Sequence, residues 1–338
     1  MLAIPASPRT RLHAARFTVA TLVLALTHAT SSAGVNLQPG EVVMIAAAYN
    51  YNAPVNSIVA VTGGGQVSVI ASGAPLSSPH DLVVLNDGRI LVADQASGLL
   101  EVQSATGVVS VLVGIAELGG SGPTTLALAP NSDVLMAGTW GVSRLAGGTG
   151  PPVAVSGTGL LTDPRGIAVD AAGTIWVADY GVNLNNSTYT WGGIVRVDPV
   201  TGAQSLLALS TVPGYFPQGL EALRTGADGA LYVVNDPAGA AQWTSGGIWR
   251  VDPGSGNATM WTHRVYMRDF HFLDPSQVLM EYAYDLSHSP YSGILATFDG
   301  ATTTQINGNL PTGRMAVVPG TPTPTRRSSW GAIKSLYR

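Results

Sequence analysis

The chain has 338 residues, of which 46% are hydrophobic and 11% charged, with a net charge of −4 and no cysteine. Disulfides and thiolate chemistry are excluded, and the slightly acidic balance lacks the basic footprint of a nucleic-acid binder. With 41 glycines and 22 prolines in so weakly charged a chain, strands and tight turns are expected rather than helices.

Residues 1–33 read as an export signal. Arg9, Arg11 and Arg16 make a positive start, residues 17–26 (FTVATLVLAL) form an apolar stretch too short to span a bilayer, and Ser31, Ser32 and Ala33 offer small residues for cleavage. No later apolar run is long enough to span a membrane, and a secreted, periplasmic or cell-surface location is expected.

From Glu41 onward two phrases alternate. One begins at Asn56 (NSIVAVTGGGQVSVIA), Ser97, Trp140, Gly192 (GGIVRVDPVTGAQSLLA), Gly246 (GGIWRVDPGSGNATMWT) and Ser292. Each copy is an apolar alternating run, a turn ending in glycine, and a second run, which reads as a β-hairpin. The other phrase precedes it, best at residues 163–179 (DPRGIAVDAAGTIWVAD), with copies from Ser78, Gly122, Phe216 and Tyr266. Two hairpins per unit, recurring about every 40 to 55 residues, give four-stranded propeller blades.

The first unit starts with its second strand and lacks an innermost one. Residues 313–318 (GRMAVV) are left over after the last unit. Placing them in the first blade gives an all-β, six-bladed β-propeller with four antiparallel strands per blade, and leaves no open edge. The expected organisation is a signal peptide over 1–33, the propeller over 34–318, and a Pro/Thr linker with a basic tail over 319–338.

The segments between second and third strands are long in four consecutive blades: 48–55, 180–191, 236–245 and 283–291. They should form a crescent wall on one face. They carry Tyr189, Trp191 and Trp243 among other aromatic and asparagine residues, a mixture suited to a carbohydrate, peptide or small-molecule ligand. The channel entrance, read one position before each innermost strand, holds His80, Thr124, Arg165, Gln218, Arg268 and Gly313. Next to these stand Asp81, Thr125, Gly166, Gly219, Asp269 and Arg314. His80, Asp81, Arg165, Gln218, Arg268, Asp269 and Arg314, with the three crescent aromatics, are the candidate ligand-binding residues. Along the innermost strand, Glu221 falls level with His271, where other blades have Val83, Ala127, Ala168 and Ala316. A Glu–His pair could do acid–base chemistry or be structural, and Glu221, His271 and His80 are the catalytic candidates. A Glu221–His271 pair would raise the histidine's pKa. Asp94, Asp179 and Asn235, ending second strands, are expected to fix loops.

At PRGIAVD followed by GTIWVAD the sequence resembles the NHL repeat, and the likeness extends over most of residues 41–318. Related six-bladed families include the gluconolactonase/senescence-marker group and the virginiamycin B lyases. The resemblance implies the fold. In the gluconolactonase-like group, carboxylate and amide side chains at the entrance hold a divalent cation. The matching positions here include two arginines, and that group's Glu-Gly-Pro signature is missing. No cofactor or metal is therefore expected, although calcium stays open. The expected function is a monomeric ligand-binding or scaffolding module acting through the crescent face. A metal-assisted lactonase, esterase or lyase with its site at the channel is the alternative, and whether the protein is an enzyme is left open.

Overall fold

A computed structural model describes residues 34–46, 55–61, 66–181, 192–209, 219–235, 246–264, 266–283, 293–310 and 313–320. Its strands form six four-stranded antiparallel sheets. Blade 1 holds β1 (Val42–Ala46), β2 (Ser57–Val61) and β3 (Val67–Ala71). Blade 2 holds β4 (Pro79–Val84), β5 (Arg89–Asp94), β6 (Gly98–Gln103) and β7 (Val108–Gly114). Blade 3 holds β8 (Thr125–Leu128), β9 (Val134–Gly138), β10 (Gly141–Leu145) and β11 (Val153–Ser156). Blade 4 is β12 (Pro164–Val169), β13 (Ile175–Asp179), β14 (Gly193–Val197) and β15 (Gln204–Leu209). Blade 5 is β16 (Leu220–Thr225), β17 (Leu231–Asn235), β18 (Gly247–Val251) and β19 (Ala258–His263). Blade 6 is β20 (Met267–Asp274), β21 (Gln277–Ala283), β22 (Gly293–Phe298) and β23 (Thr303–Leu310). The last strand, β24 (Met315–Val317), returns to blade 1 and pairs with β1, Met315 opposite Met44 and Val317 opposite Val42.

The six innermost strands touch in the order β24, β4, β8, β12, β16, β20 and back to β24. The core is accordingly a ring of six apolar seams, each shared by two neighbouring blades. The seam that closes the ring joins Met44, Val59 and Met315 of blade 1 to Leu279 and Leu295 of blade 6. Second strands sit against a neighbour on both faces, and β1, β9, β13 and β17 are buried at every position. A buried Leu, Ile or Met contributes roughly 1.5–3 kcal/mol, so one seam outweighs any exposed ion pair, worth about 0–1 kcal/mol.

Two local devices repeat. The turn after the inner strand needs a residue with positive φ, supplied by Gly88, Gly173 and Gly229 and, in blade 3, by Ser132 at φ 69°. The inner strand itself carries a β-bulge near its start, after Pro79, Pro164, Leu220 and Met267. Among the described residues no helix is long and apolar enough to cross a membrane.

Candidate functional site

The bulges set the top of the channel. A bulge leaves one residue outside the ladder and re-aims its side chain. His80 and Arg165 occupy that position in blades 2 and 4, and Arg268 does so in blade 6. In blade 5 the register puts Leu220 opposite Asn235 and Leu223 opposite Val233, matching Pro164–Asp179 and Ile167–Val177 of blade 4. Glu221 is therefore the entrance residue of blade 5, and Arg224 stands level with His271. This corrects the sequence alignment, which put Gln218 at the entrance and Glu221 beside His271.

The contacts agree with the corrected register. Glu221 Oε2 accepts a 2.8 Å bond from Arg314 Nη2, which also donates to the Arg165 carbonyl at 2.8 Å. Arg268 reaches the other Glu221 oxygen at 3.9 Å. Arg165 donates to Asp163 Oδ2 at 2.8 Å and lies over the Tyr180 ring. The entrance is thus a half-buried carboxylate clamped between arginines. Burial, with Arg165 and Arg314 nearby, lowers the pKa of His80 and keeps its ring neutral. Burial also opposes the charge of Arg314, but Glu221, Asp269 and Asp81 together outweigh it.

One step down, Asp81 and Asp269 are fully enclosed, and each stitches its blade to the next. Asp81 accepts from Leu82 N, Thr125 Oγ1 and Leu126 N at 2.8–2.9 Å. Asp269 accepts from Phe270 N at 2.8 Å, Met315 N at 3.0 Å and Arg224 Nη2 at 3.0 Å. Gly166 fills the same position in blade 4, where a Cβ would meet the Glu221 carbonyl oxygen and Leu223 N. These carboxylates hold inner strands together and present no face to the channel mouth.

Next come Arg224 and His271. His271 Nε2 lies 2.9 Å from the Met315 carbonyl oxygen and 3.3 Å from Arg224 Nη2. Burial first, and the Arg224 charge second, drive its pKa down to about 3. The expected Glu221–His271 pair with a raised histidine pKa is not formed: the carboxylate belongs to Arg314, and the ring faces a guanidinium. This level opens into a cavity of about 310 Å³, walled also by Val83, Ala127, Ala168, Ala316 and Phe272 and reaching Pro319. It lies where the inner strands finish, on the face opposite the entrance.

Asp94 and Asp179 behave as loop-fixing residues. Asp94 accepts from Ser77 N, Ser78 N, Ala96 N and Ser97 N, and Asp179 from Thr162 N, Asp163 N and Gly181 N. Each ties the approach to its inner strand to the loop after its second strand. Among the described residues no three His, Asp or Glu side chains converge to hold a metal ion. Of the crescent, Tyr180 is described and exposed; Gln218, Tyr189, Trp191 and Trp243 lie outside the described residues.

An NHL-repeat family model matches residues 161–184, the first half of blade 4. This is a six-bladed β-propeller carrying an NHL repeat. No curated protein sequence matches the chain. Among solved structures, the propeller is similar to a protein of unknown function from Bacteroides caccae, at 10% identity over 84% of this chain and 100% of that one, with a TM-score of 0.54. It is also similar to virginiamycin B lyase from Staphylococcus aureus, at 15% identity over 74% and 76% of the two chains, TM-score 0.47. A calcium-binding regucalcin from Agrobacterium tumefaciens matches at 17% identity over 69% and 77%, TM-score 0.49. At these identities the likeness speaks for the fold alone.

Proposed function

We propose that the propeller is an exported, monomeric recognition module that takes a carboxylate-bearing ligand at the entrance face. The observation that supports this reading is the state of Glu221. Its charge is met from below by Arg314 at 2.8 Å, while Arg165 and Arg268 remain partly exposed around it. A rim of partly solvated guanidinium groups suits planar, bidentate recognition of carboxylates. The aromatic and asparagine residues of the crescent would supply flat contact area to the same ligand. The carboxylates that a divalent cation would need are instead engaged by backbone amides and arginines, which does not favour the metal-assisted lactonase, esterase or lyase reading.

The test is an array of acidic and neutral glycans and peptides. Binding is expected to acidic members, to fall at least tenfold in Arg165→Ala and Arg268→Ala, and to weaken in Trp191→Ala and Trp243→Ala. Equal binding to carboxyl-reduced counterparts would refute the charge argument. One calcium per chain after dialysis, accompanied by turnover of a lactone or ester, would replace this reading with the enzymatic one.

A further inference from the structure

The lower cavity is independent of the entrance. Its walls come from the last residues of the inner strands, and among the described residues Arg224 contributes the one formal charge to its lining. Arg224 stands where four other blades have Val83, Ala127, Ala168 and Ala316, so the fold at this level is satisfied by small apolar side chains. Nor does the blade seam demand a guanidinium. Asp81 performs the same stitch between blades 2 and 3 with a threonine hydroxyl and backbone amides alone. Asp269 already takes two amides from Phe270 and Met315.

The geometry of the ion pair is one-sided. Asp269 is 0% exposed and Arg224 17%, so the carboxylate is hidden behind the guanidinium and only the cation reaches toward the cavity. The neutral His271 ring lies beside it, 3.3 Å from Nη2. Small ligand sites combine apolar walls with one or two convergent polar groups in volumes of roughly 300–1,000 Å³, and this cavity is about 310 Å³.

We infer that the lower cavity is a second binding site, for a small organic carboxylate whose apolar body packs against Ala127, Ala168, Ala316 and Phe272 while its head meets Arg224. The walls favour an aromatic or short aliphatic body over a sugar, because they offer few partners for hydroxyl groups.

Calorimetry on the full chain with phenylacetate, benzoate and hexanoate tests this, with phenylacetamide as the neutral match. At least one acid is expected to bind, and phenylacetate at least tenfold more tightly than its amide. Arg224→Ala should bring acid and amide level. Because that change could unfold the blade 5/6 seam, Ala127→Leu is the second variant: it fills the cavity without touching a charge and should abolish binding while melting is retained. Arg165→Ala with Arg268→Ala should leave the acid affinity unchanged, whether or not the entrance ligand exists. Failure of all three acids, equal affinity for acid and amide, or insensitivity to Ala127→Leu would overturn the site. Loss of the acid in the rim variant would move it to the entrance. A gain in affinity on Trp330→Ala, in the tail over 319–338, would mean that the tail fills the cavity, and would overturn the proposal too.

Discussion

The two ends of the channel are built from the same six strands and differ in almost every physical respect. At the entrance, bulges push long polar side chains out of the ladder, and Glu221 is met by Arg314 while Arg165 and Arg268 stay partly exposed around it. At the far end the ladders are regular except between Phe272 and Asp274 of blade 6, most of the side chains are short, and space is left. The difference shows that the wall of a propeller channel is decided level by level. At the entrance a bulge lifts one residue out of register and makes a polar tier, whereas the tier of Val83, Ala127, Ala168 and Ala316 is apolar. Arg224 and His271 are the exceptions that carry polarity below the bulge.

The sharpest way to break this contrast is at Arg314, which joins the entrance to the seam beneath. Arg314→Leu leaves Glu221 without its buried cation and is expected to cost about 3–5 kcal/mol in urea unfolding. Adding Glu221→Leu should recover part of that loss, since no unpaired charge then remains at the entrance. A double variant as damaged as the sum of the two would show that Arg314 holds the fold by packing alone.

An effect confined to acid pH comes from His271. Its folded pKa of about 3 lies below the reference value of 6.5, so between these values the unfolded chain binds a proton that the folded chain does not. Stability should therefore fall as pH drops below about 6.5, by up to roughly 1.4 kcal/mol per pH unit at the steepest, until about pH 3. His271→Ala should flatten that acid limb. An unchanged pH profile would place the ring in a more hydrated setting than its contacts describe.

The smallest effect is expected at the rim. Arg268 is 51% exposed and 3.9 Å from Glu221, and Arg268→Ala should change stability by no more than about 0.5 kcal/mol. A larger loss would mean that the entrance is held together as tightly as the seams, and the contrast between solvated rim and buried tier would fail.

Blade count, strand order and the closing strand were legible in the sequence because each depends on local alternation and turn chemistry, repeated six times. The GRMAVV segment had one place to go once blade 1 lacked an inner strand. The entrance was misread in one blade for an identifiable reason. Pro79, Pro164 and Leu220 each stand nine residues before the positive-φ glycine of the following turn, Gly88, Gly173 and Gly229. The Pro217-Gln218-Gly219 phrase imitates the start of the strand three residues early. Counting back from the turn, whose backbone geometry is fixed, would have placed Glu221 at the mouth and Arg224 beside His271. Counting forward from proline followed a resemblance instead. The lower cavity was not legible at all, because Val83, Ala127, Ala168 and Ala316 look like ordinary core positions until the strands are set around an axis.

The return of β24 to β1 also dictates a sequence of events. Blade 1 has three of its strands by Ala71, yet Met44 must wait for Met315 to complete its sheet. Until blade 6 has been made, the inner edge of β1 exposes unsatisfied amides and carbonyls next to an uncovered apolar seam. A pairing so distant in sequence is slow to find. Nascent chains of this protein should therefore engage holding chaperones until late in synthesis, and acquire protease resistance in one step rather than blade by blade.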